Sequence, residues 1–436
     1  MATKNASAEL LPPSISKAGW RALAASWMGW MFDGYESYAL VLVMTPAVRQ
    51  LLSPERLPKA SIYAGGLLTV TMLGWAAGGV AAGVLADYVG RRRTLMLSIL
   101  CYAIFAGMAA FSWDYWSLLV FRFLTGLGLG AEWGPGAAIV AEFWAPASRG
   151  RAGGALHAAY GVGFLLASGI WLLLNPLGPS SWRYMFAIGI LPAFLLLYIR
   201  RCVDEPALWV AANRGRQEAQ ERLAMGGASP DDKERAQFTL TRIFLDRELR
   251  RRVGLLLLMA ITTVVPWWSA STWIPTYAAQ PSTLSSSLVG LMFSVGSIVG
   301  FLAMGLFADL LGRKPAIWLY YLGALVLSLC FFLLATGLRM RLVMVAANGF
   351  FCTGQFAWMT IYLPEVFPTR VRGTAMSVVF DSSRAASALC PLFAGWLIAL
   401  LGGMGAAGAM MSLIYVVGLI VSPFAGPETK GKPLPA

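Results

Sequence analysis

The chain has 436 residues, of which 58% are hydrophobic and only 13% are charged, and its mean hydropathy is +0.65. Soluble domains carry about 25% charged residues, so most of this chain is expected to lie in lipid. A helix that crosses a bilayer needs about 20 apolar residues, so this length holds about a dozen spans and excludes a one-span receptor with a large soluble domain. The net charge of +13 does not indicate a nucleic-acid partner, because the basic residues lie between apolar runs rather than along one exposed face.

Apolar runs along the chain predict twelve membrane-spanning helices. Lys and Arg are concentrated in alternate loops between them, and the positive-inside rule therefore places both termini and a long central loop in the cytoplasm. We expect a multi-pass protein of a bacterial inner membrane. The predicted spans are residues 20–47, 61–86, 92–111, 116–143, 150–175, 182–200, 252–279, 285–310, 314–335, 341–364, 370–401 and 404–425.

Cysteine spacing and nucleotide motifs exclude several other classes of protein. The five cysteines lie singly, four in apolar runs and Cys202 in a basic loop, so we expect neither a disulfide nor a metal site. The chain contains no Gly-x-x-x-x-Gly-Lys-Ser/Thr loop for nucleotide hydrolysis and no catalytic constellation. We therefore expect neither a cofactor nor enzymatic activity.

Three motifs of the first half of the chain recur in the second half at one offset, to within a residue. Taken alone, a Gly-x-x-x-Asp-x-x-Gly-Arg stretch is explained by a helix stop followed by basic residues at the membrane interface. Its repetition in register with two further motifs indicates an internal duplication. The pairs are Gly83 to Arg91 with Gly305 to Arg313, Glu142 and Arg149 with Glu365 and Arg372, and Glu205 with Glu428.

The duplicated stretch resembles the signature loop of the major facilitator superfamily, and the resemblance covers the whole chain. It implies an all-α integral membrane protein whose twelve helices form two pseudo-symmetric six-helix bundles, with the substrate held between them near mid-membrane. The linker is expected to form short helices that tie the halves together, and the alternative is an unstructured connection. The implied organisation is a cytoplasmic tail of residues 1–19, a bundle of 20–200, a cytoplasmic linker of 201–251, a second bundle of 252–425 and a cytoplasmic tail of 426–436.

The same resemblance implies a gate on the cytoplasmic side. Asp87, Arg91, Asp309 and Arg313 are expected to form ion pairs between the bundles while the substrate site faces outward, and to take no part in binding cargo. Four more charged residues and three glycines of the motifs are expected to belong to this gate, namely Glu142, Arg149, Glu365 and Arg372, and Gly83, Gly90 and Gly312.

Six ionisable side chains fall inside the predicted spans, where each costs about 2.5–3.5 kcal/mol at mid-helix unless it is paired. We therefore expect them to face the cavity and one another. Asp33 and Glu36 lie three residues apart on one face of span one, and two ionised acids so close repel each other. Helix rise places Asp33 and Arg122 of span four at nearly the same depth, so the acid pair is expected to alternate between sharing Arg122 and taking a proton.

The stretch from Phe32 to Glu36 resembles the Asp-Gly-x-Asp motif of aromatic acid:proton symporters, with Glu in the last place. It also resembles the Gly-Tyr-Asp of proton-coupled sugar porters, where that acid faces an arginine of helix four. The run from Arg122 to Trp133 is similar to the fourth helix of sugar porters and of organic-acid (sialate, lactate) symporters. These resemblances imply that Asp33 or Glu36 forms the proton-coupling unit with Arg122, and the alternative is a static buried pair that orders the bundle.

Arg384 of span eleven is the candidate for binding a carboxylate of the cargo, because arginine offers two parallel donors to such anions. The alternative is a local ion pair with Asp381, three residues earlier on the same helix.

Glu132, deeper in span four, is a candidate relay acid or the partner of a distant basic group, and it is counted with the substrate site. Aromatic and amide side chains are further candidates for that site, with anchoring of helix ends as the alternative for the aromatic ones; they are Tyr35, Trp267, Gln355 and Trp358.

Together these features predict a monomeric secondary transporter in which protons and a small organic anion, an aromatic or other carboxylic acid, move together. The rival is a proton-coupled sugar or polyol porter, which should carry more Gln and Asn in spans seven and eight than this chain does. A drug:proton antiporter fits less well, because span five lacks the Gly-Pro pair of that group. His157, the only histidine, is assigned to packing without a proton role.

Overall fold

The computed structural model describes residues 16–279, 286–335 and 337–435, and within these ranges every regular element is a helix. Nine helical segments of the described residues are long and apolar enough to cross a membrane. The three remaining predicted spans, the first, fourth and eleventh, are helical too, and they are the spans that carry the in-membrane charges. The fold is therefore the twelve-span, all-α architecture that the sequence predicts.

The helices follow the predicted spans in chain order, with three short helices in the linker. Spans one to six are Lys17–Leu51, Ala60–Tyr88, Arg91–Ala109, Tyr115–Phe143, Arg149–Leu174, and the pair Trp182–Ile188 and Leu195–Cys202. The linker forms Ala207–Ala224, Pro230–Ala236 and Thr239–Leu245. Spans seven to twelve are Arg247–Ala279, Ser286–Leu311, Arg313–Leu334, Leu338–Asn348 with Ala357–Val366, Arg372–Ser387 with Cys390–Leu400, and Met404–Ser412 with Ile414–Val421.

Two of the helix breaks lie next to the charged centre of the molecule. Span six is interrupted at Gly189 and continues through a 3₁₀ turn of Leu191–Phe194, in which Pro192 cannot donate a helical hydrogen bond. Span ten passes through a π-helical turn, Gly349–Thr353, and a 3₁₀ turn, Gly354–Phe356. Turns of the π type are frequent at functional sites, and this one faces the central cavity described below.

Glycines allow spans two and four to pack backbone against backbone. A Cβ atom added at Gly78 would lie 2.0 Å from the carbonyl oxygen of Leu127. One added at Gly130 would lie 1.8 Å from the carbonyl oxygen of Trp75. Close approach at small residues is a common way for helices to associate in lipid, and here it sets the position of span four, which carries Arg122.

Substitution of Gly78 by Ala is expected to destabilise the protein by about 1–3 kcal/mol, because the added methyl group has no space against the backbone of span four. The measurement is thermal unfolding of the purified protein in detergent. Gly65→Ala is the matched control on the same helix, since nothing lies within 4 Å of the Cβ position there. Equal melting temperatures for the two variants would contradict the proposed close packing.

The two most extensive helix contacts between the first six spans and the last six are made by spans five and two. Span five packs against span eight, where a Cβ atom at Gly154 would lie 2.9 Å from the Cα atom of Gly305. Span two packs against span eleven, where a Cβ atom at Gly83 would lie 2.5 Å from the Cβ atom of Ser377. The in-membrane charges of both halves are brought together between these two contacts.

Candidate functional site

Charged residues form a network on the face of the molecule that carries the linker and the tail, called the gate side below. Asp87 pairs with Arg91 at 2.6 Å, and Asp309 pairs with Arg313 at 3.0 Å. Both pairs lie within one half of the chain. Asp309 also pairs with Arg151 of the other half, so the predicted ion pairs between the bundles are present for Asp309 and wrong for Asp87, Arg91 and Arg313. The reason is local, because the chain turns at Gly90 and at Gly312, between the aspartate and the arginine of each motif, and this turn brings each arginine back onto its own aspartate.

The two aspartates instead cap helices of the opposite half. Asp87 accepts a hydrogen bond from the backbone N–H of Thr374, at 2.8 Å, in the first turn of span eleven. Asp309 accepts one from the backbone N–H of Gly150, at 2.9 Å, in the first turn of span five, and Arg151 Nε lies 3.3 Å from Asp309 Oδ2. Free N–H groups and the helix dipole favour a negative charge at these positions. The aspartates therefore join the halves through helix N-termini.

The buried ion pairs that join the halves are made by four other residues of the duplicated motifs. Arg372 Nη1 lies 2.6 Å from Glu142 Oε1, and Arg149 Nη1 lies 3.3 Å from Glu365 Oε1. All four side chains are at most 2% exposed. Because each pair takes one residue from each half, the gate side is closed in this structure.

Gly90 and Gly312 turn the chain into spans three and nine with φ angles of 117° and 109°, a region that residues with a Cβ atom rarely adopt. A Cβ atom at Gly90 would also lie 2.3 Å from Oε1 of Glu205, and one at Gly312 would lie 3.0 Å from Oε2 of Glu428. The third sequence repeat, Glu205 and Glu428, therefore supplies one carboxylate to each of the two turns. Glu205 accepts a hydrogen bond from Arg92 N at 3.2 Å, and Glu428 accepts one from Arg313 N at 2.9 Å.

The tail after span twelve is part of the gate network. Burial opposes ionisation of Glu428, but backbone N–H donors of Arg313, Lys314 and the following residues outweigh it and hold the pKa of this carboxyl below its usual range. The carbonyl oxygen of Pro435 accepts a hydrogen bond from Arg372 Nη2 at 3.0 Å. The sequence alone did not show that the tail lies against the gate.

The linker also bridges the two halves at the gate. Arg216, in the first linker helix, donates to the carbonyl oxygen of Asp87 at 2.7 Å and to that of Arg370 at 3.0 Å. Its guanidinium lies over the ring of Tyr88, 4.3 Å from the centroid. Linker helices, tail and duplicated motifs therefore contact one another on the same face.

Removing the two acids that pair across the halves is expected to open the gate side. In the double variant Glu142→Gln and Glu365→Gln, four buried arginines each lose a counter-charge, and the two that pair across the halves, Arg372 and Arg149, lose the only one they have among the described residues, which favours states in which water reaches them. The measurement is the distance between spin labels at exposed positions Arg93 and Leu311, and a longer distance should appear. The control is Glu218→Gln, whose ion pair with Arg214 is exposed. An unchanged distance distribution in the double variant would contradict a latching role.

The first in-membrane pair is an ion pair between spans one and four. Arg122 Nη1 lies 2.9 Å from Glu36 Oε2, and both side chains are fully buried. The ring of Phe186 lies 4.8 Å from the guanidinium carbon. Glu36 Oε1 occupies the space over Gly189, where a Cβ atom would lie 2.0 Å away. The break in span six thus makes room for this carboxylate.

Asp33 has different neighbours from Glu36. The charged groups that act on it from other spans are Glu132 of span four and Arg384 of span eleven. Neither carboxylate oxygen of Asp33 has a hydrogen-bond partner among the described residues. The structure therefore does not show the predicted sharing of Arg122 by both acids, since the carboxylates of Asp33 and Glu36 lie among different neighbouring helices.

A central cavity lies between the two halves and is lined largely by aromatic rings. About 20 Å³ of it is accessible to the centre of a water-sized sphere, so the side chains lie close together in this structure. The guanidinium of Arg384 supplies the positive charge of the lining and lies 3.9 Å from the ring centroids of both Trp75 and Phe380. The lining residues come from both halves and are Trp30, His157, Tyr160, Trp267, Trp268, Phe301, Thr353, Phe356, Phe380 and Arg384.

Arg384 keeps the local ion pair that the sequence offered as an alternative. Its Nη1 atom lies 3.1 Å from Asp381 Oδ1. Asp381 in turn sits over Gly79 of span two, where a Cβ atom would lie 2.0 Å from Asp381 Cγ. The Arg384 side chain nevertheless lines the cavity, so the ion pair does not remove Arg384 from it.

Of the other residues predicted to bind substrate, Trp267 lines the cavity and several others do not. Tyr35 donates to the carbonyl oxygen of Met185 at 2.9 Å, and Trp358 donates to Thr263 Oγ1 at 3.2 Å. Both are buried and lie outside the cavity lining, so their prediction as binding residues is not supported by their position. Glu132 lines a separate, smaller cavity.

Gln355 is fully buried, and its side-chain amide has no hydrogen-bond partner among the residues that the structure describes. It does not line the central cavity itself, but its neighbours Thr353 and Phe356 do. The irregular turns of span ten bring these two residues to the cavity and direct Gln355 elsewhere. Sequence spacing on an ideal helix could not show this.

Most of the aromatic lining was not predicted from the sequence. His157 was assigned to packing, yet it lines the cavity and bonds across the halves, with Nδ1 2.9 Å from Thr360 Oγ1. Sequence spacing could have predicted two of these rings, because Trp30 lies three residues before Asp33 and Phe380 lies four residues before Arg384. Such spacing places each ring on the same helix face as a charged group that had already been chosen.

Comparisons with known proteins identify the family of the chain. The profile of the family described as "Sugar (and other) transporter" matches residues 22–436. A putative metabolite transport protein of Haemophilus influenzae is 30% identical over 425 residues, which cover 96% of this chain and 99% of that protein. A probable 4-methylmuconolactone transporter of Cupriavidus pinatubonensis is 29% identical over 426 residues, which cover 96% of this chain and 92% of that protein.

A solved structure shares the fold over nearly the full length. The proton:xylose symporter XylE, described as a member of the major facilitator superfamily, superposes with a TM-score of 0.75 at 21% identity. The match covers 96% of this chain and 98% of that chain. The chain therefore belongs to the sugar (and other) transporter family, and it is a multi-pass membrane transporter rather than an enzyme, with the fold of that symporter.

Proposed function

We propose that the protein is a proton-coupled symporter of a small organic anion, an aromatic or other carboxylic acid, and that it works by alternating access. The observation that carries the proposal is the guanidinium of Arg384 in a cavity lined by aromatic rings between the two halves. Arginine binds carboxylates through parallel hydrogen bonds, and aromatic rings pack against the ring or unsaturated chain of the cargo. The cavity thus combines the two kinds of contact that such an anion needs.

The carboxylate of the cargo would compete with Asp381 for Arg384. In this structure Asp381 neutralises Arg384 at 3.1 Å, so the site is not left with an unpaired charge. A bound carboxylate adds a negative charge to a buried cluster that already contains Asp33 and Asp381. Entry of a proton with the anion would restore the charge balance, which is a physical reason for symport rather than uniport.

Proton coupling is assigned to the acids of span one together with Arg122. Buried ionisable groups in a transporter mark ion pathways, and the pair of Glu36 and Arg122 is fully buried, with Asp33 one turn away. The name of the structural neighbour, a proton:xylose symporter, supports coupling to protons in this fold. No cofactor is required, since a membrane potential supplies about 2.3 kcal/mol per 100 mV for each charge.

A carboxylate cargo is favoured over a sugar by the chemistry of the cavity lining. A sugar or polyol needs many amide and hydroxyl partners, whereas this lining consists mostly of rings, with one guanidinium. One relative is named as a probable transporter of 4-methylmuconolactone, which is an unsaturated compound.

We further propose that the gate side faces the cytoplasm, that both termini lie there, and that the protein works as a monomer in a bacterial inner membrane.

The test is uptake into proteoliposomes under an imposed pH gradient. The panel contains benzoate, nicotinate, short monocarboxylates, dicarboxylates and hexoses, and the internal pH is recorded at the same time. We expect accumulation of at least one ring-bearing or unsaturated carboxylate, with acidification of the lumen. Uptake of hexoses alone would overturn the anion assignment, and alkalinisation of the lumen during uptake would overturn symport.

A further inference from the structure

Two buried carboxyl groups in the first half of the molecule, Asp33 and Glu132, lie side by side with few polar neighbours. None of their four carboxylate oxygens makes a hydrogen bond of normal distance and angle with the described residues, and both side chains are at most 2% exposed. The Tyr102 hydroxyl lies near Glu132 and the Arg384 guanidinium acts on Asp33, but two ionised carboxylates here would lose most of their hydration and repel each other. One proton held between the two acids removes a charge and supplies a donor.

Glycine brings the two acids together. A Cβ atom at Gly29 would lie 1.9 Å from Glu132 Oε1, so the Glu132 side chain reaches from span four onto the surface of span one. Gly29 lies four residues before Asp33, one helical turn away on the same face. The Glu132 carboxyl is therefore next to Asp33 and one turn closer to the gate side.

The surroundings of this pair connect it to the cargo site. The titratable groups that act on it are Glu36 of span one, Tyr102 of span three, Tyr160 of span five and Arg384 of span eleven. Arg384 is the cation among them, and it also lines the central cavity. A cargo carboxylate on Arg384 would weaken the attraction between Arg384 and Asp33, so the acid pair would hold its proton more firmly while cargo is bound.

A second cavity continues from Glu132 toward the gate side. About 10 Å³ of it is accessible to the centre of a water-sized sphere, which is the space of one water molecule. The cavity shares Trp30 with the central cavity and is also lined by Ser26, Gly136 and Leu156. Gly136 lies one turn after Glu132 along span four, in the direction of the gate. The cavity is polar at Glu132 and Ser26 and has room for a water molecule, which a proton needs in order to leave a buried acid.

We propose that Asp33 and Glu132 share the transported proton and that Glu132 passes it to water in this second cavity. The inference rests on the proposed symport and assigns Glu132 as its relay acid. In each transfer an O–H bond of one group breaks as that of the next forms, and the final acceptor is water. Glu36 is ion-paired with Arg122 in this structure, so in this state the proton is assigned to Asp33 and Glu132.

The shared proton can be tested without any cargo. Infrared difference spectra of the purified protein in nanodiscs, recorded on exchange from H₂O to D₂O near neutral pH, report protonated carboxyl groups. We expect one such band in the parent protein, its loss in Glu132→Gln and in Asp33→Asn, and its retention in Glu36→Gln. A band that persists in Glu132→Gln, with the variant folded by its melting temperature, would overturn the proposal.

The relay step can be tested by comparing exchange with accumulation, with benzoate as the probe. Exchange of labelled for unlabelled benzoate needs no release of the proton, whereas accumulation driven by a pH gradient does. Glu132→Gln is expected to retain exchange and to lose accumulation by tenfold or more. Equal loss of both would overturn the relay role. If the parent protein did not exchange benzoate or any other carboxylate, the proposed function would fail, and the infrared band would still decide whether the two acids share a proton.

Discussion

Replacement of Arg384 by Gln is expected to reduce uptake of the cargo anion by about 30-fold or more. Loss of one partner of a buried, hydrogen-bonded charge pair costs about 2–5 kcal/mol, and here the lost partner is the cation of the central cavity. Arg384→Lys should retain a small part of the activity, because a single ammonium attracts a carboxylate but cannot offer two parallel donors. The measurement is initial uptake of the best substrate from the carboxylate panel, normalised to the amount of folded protein.

Two variants separate binding by Arg384 from a purely structural role. Arg214→Gln is the control for loss of an arginine, since that side chain is 82% exposed on the linker. The double variant Arg384→Gln with Asp381→Asn removes the local ion pair without leaving a buried charge. If the double variant transported the anion as well as the parent does, the pair would be a structural element and the assignment of Arg384 to the cargo would be wrong.

Breaking the ion pair of Glu36 and Arg122 is expected to cost about 3–5 kcal/mol of stability, because either single substitution leaves one uncompensated charge in the bilayer. Arg122→Gln should show the full effect in thermal unfolding, since Glu36 then keeps its charge over Gly189 with no partner. The double variant Glu36→Gln with Arg122→Gln is expected to regain most of the lost stability.

Transport by the same double variant distinguishes coupling from structure. If the pair takes part in coupling, accumulation driven by a pH gradient is expected to remain low in the double variant even though its melting temperature recovers. A matched control is Glu248→Gln, which removes an acid from a pair exposed on the gate side and should change neither quantity. Full recovery of accumulation in the double variant would support the static pair that the sequence left open as the alternative.

The duplicated motifs predicted where the gate lies but not all of its contacts. The spacing of Asp87 and Asp309 within their motifs predicted a charged network at the end of spans two and eight, and the structure contains one. The ion pair between the bundles that was predicted for Asp87 was wrong, because Arg91 of the same motif takes the short-range position and the opposite half presents backbone N–H groups to Asp87. Asp309 meets both a backbone N–H group and the Arg151 side chain of the opposite half. The sequence predicted that charged residues lie at the gate, but it did not show which groups bind each aspartate.

At the centre of the molecule, too, one contact was predicted from the sequence and others were not. Helix rise placed Arg122 at the depth of the acids in span one, and the ion pair with Glu36 lies there. That Asp33 faces Glu132 and Arg384 depends on Gly29, which makes space on span one, and on the packing of span eleven against span two. Such contacts join residues far apart in the chain, so local spacing did not show them.

The sequence by itself determined that the chain spans a membrane, that it is built from two related halves, and that a few charged residues must be buried. These three properties follow from the composition, the length of the apolar runs and the repeated motifs. The tertiary structure alone decided which partner each buried charge has and which aromatic rings line the cavity. The physical reason is that the free energy of a charge in lipid depends on atoms within a few ångströms, and those atoms come from helices that only the packed fold brings together.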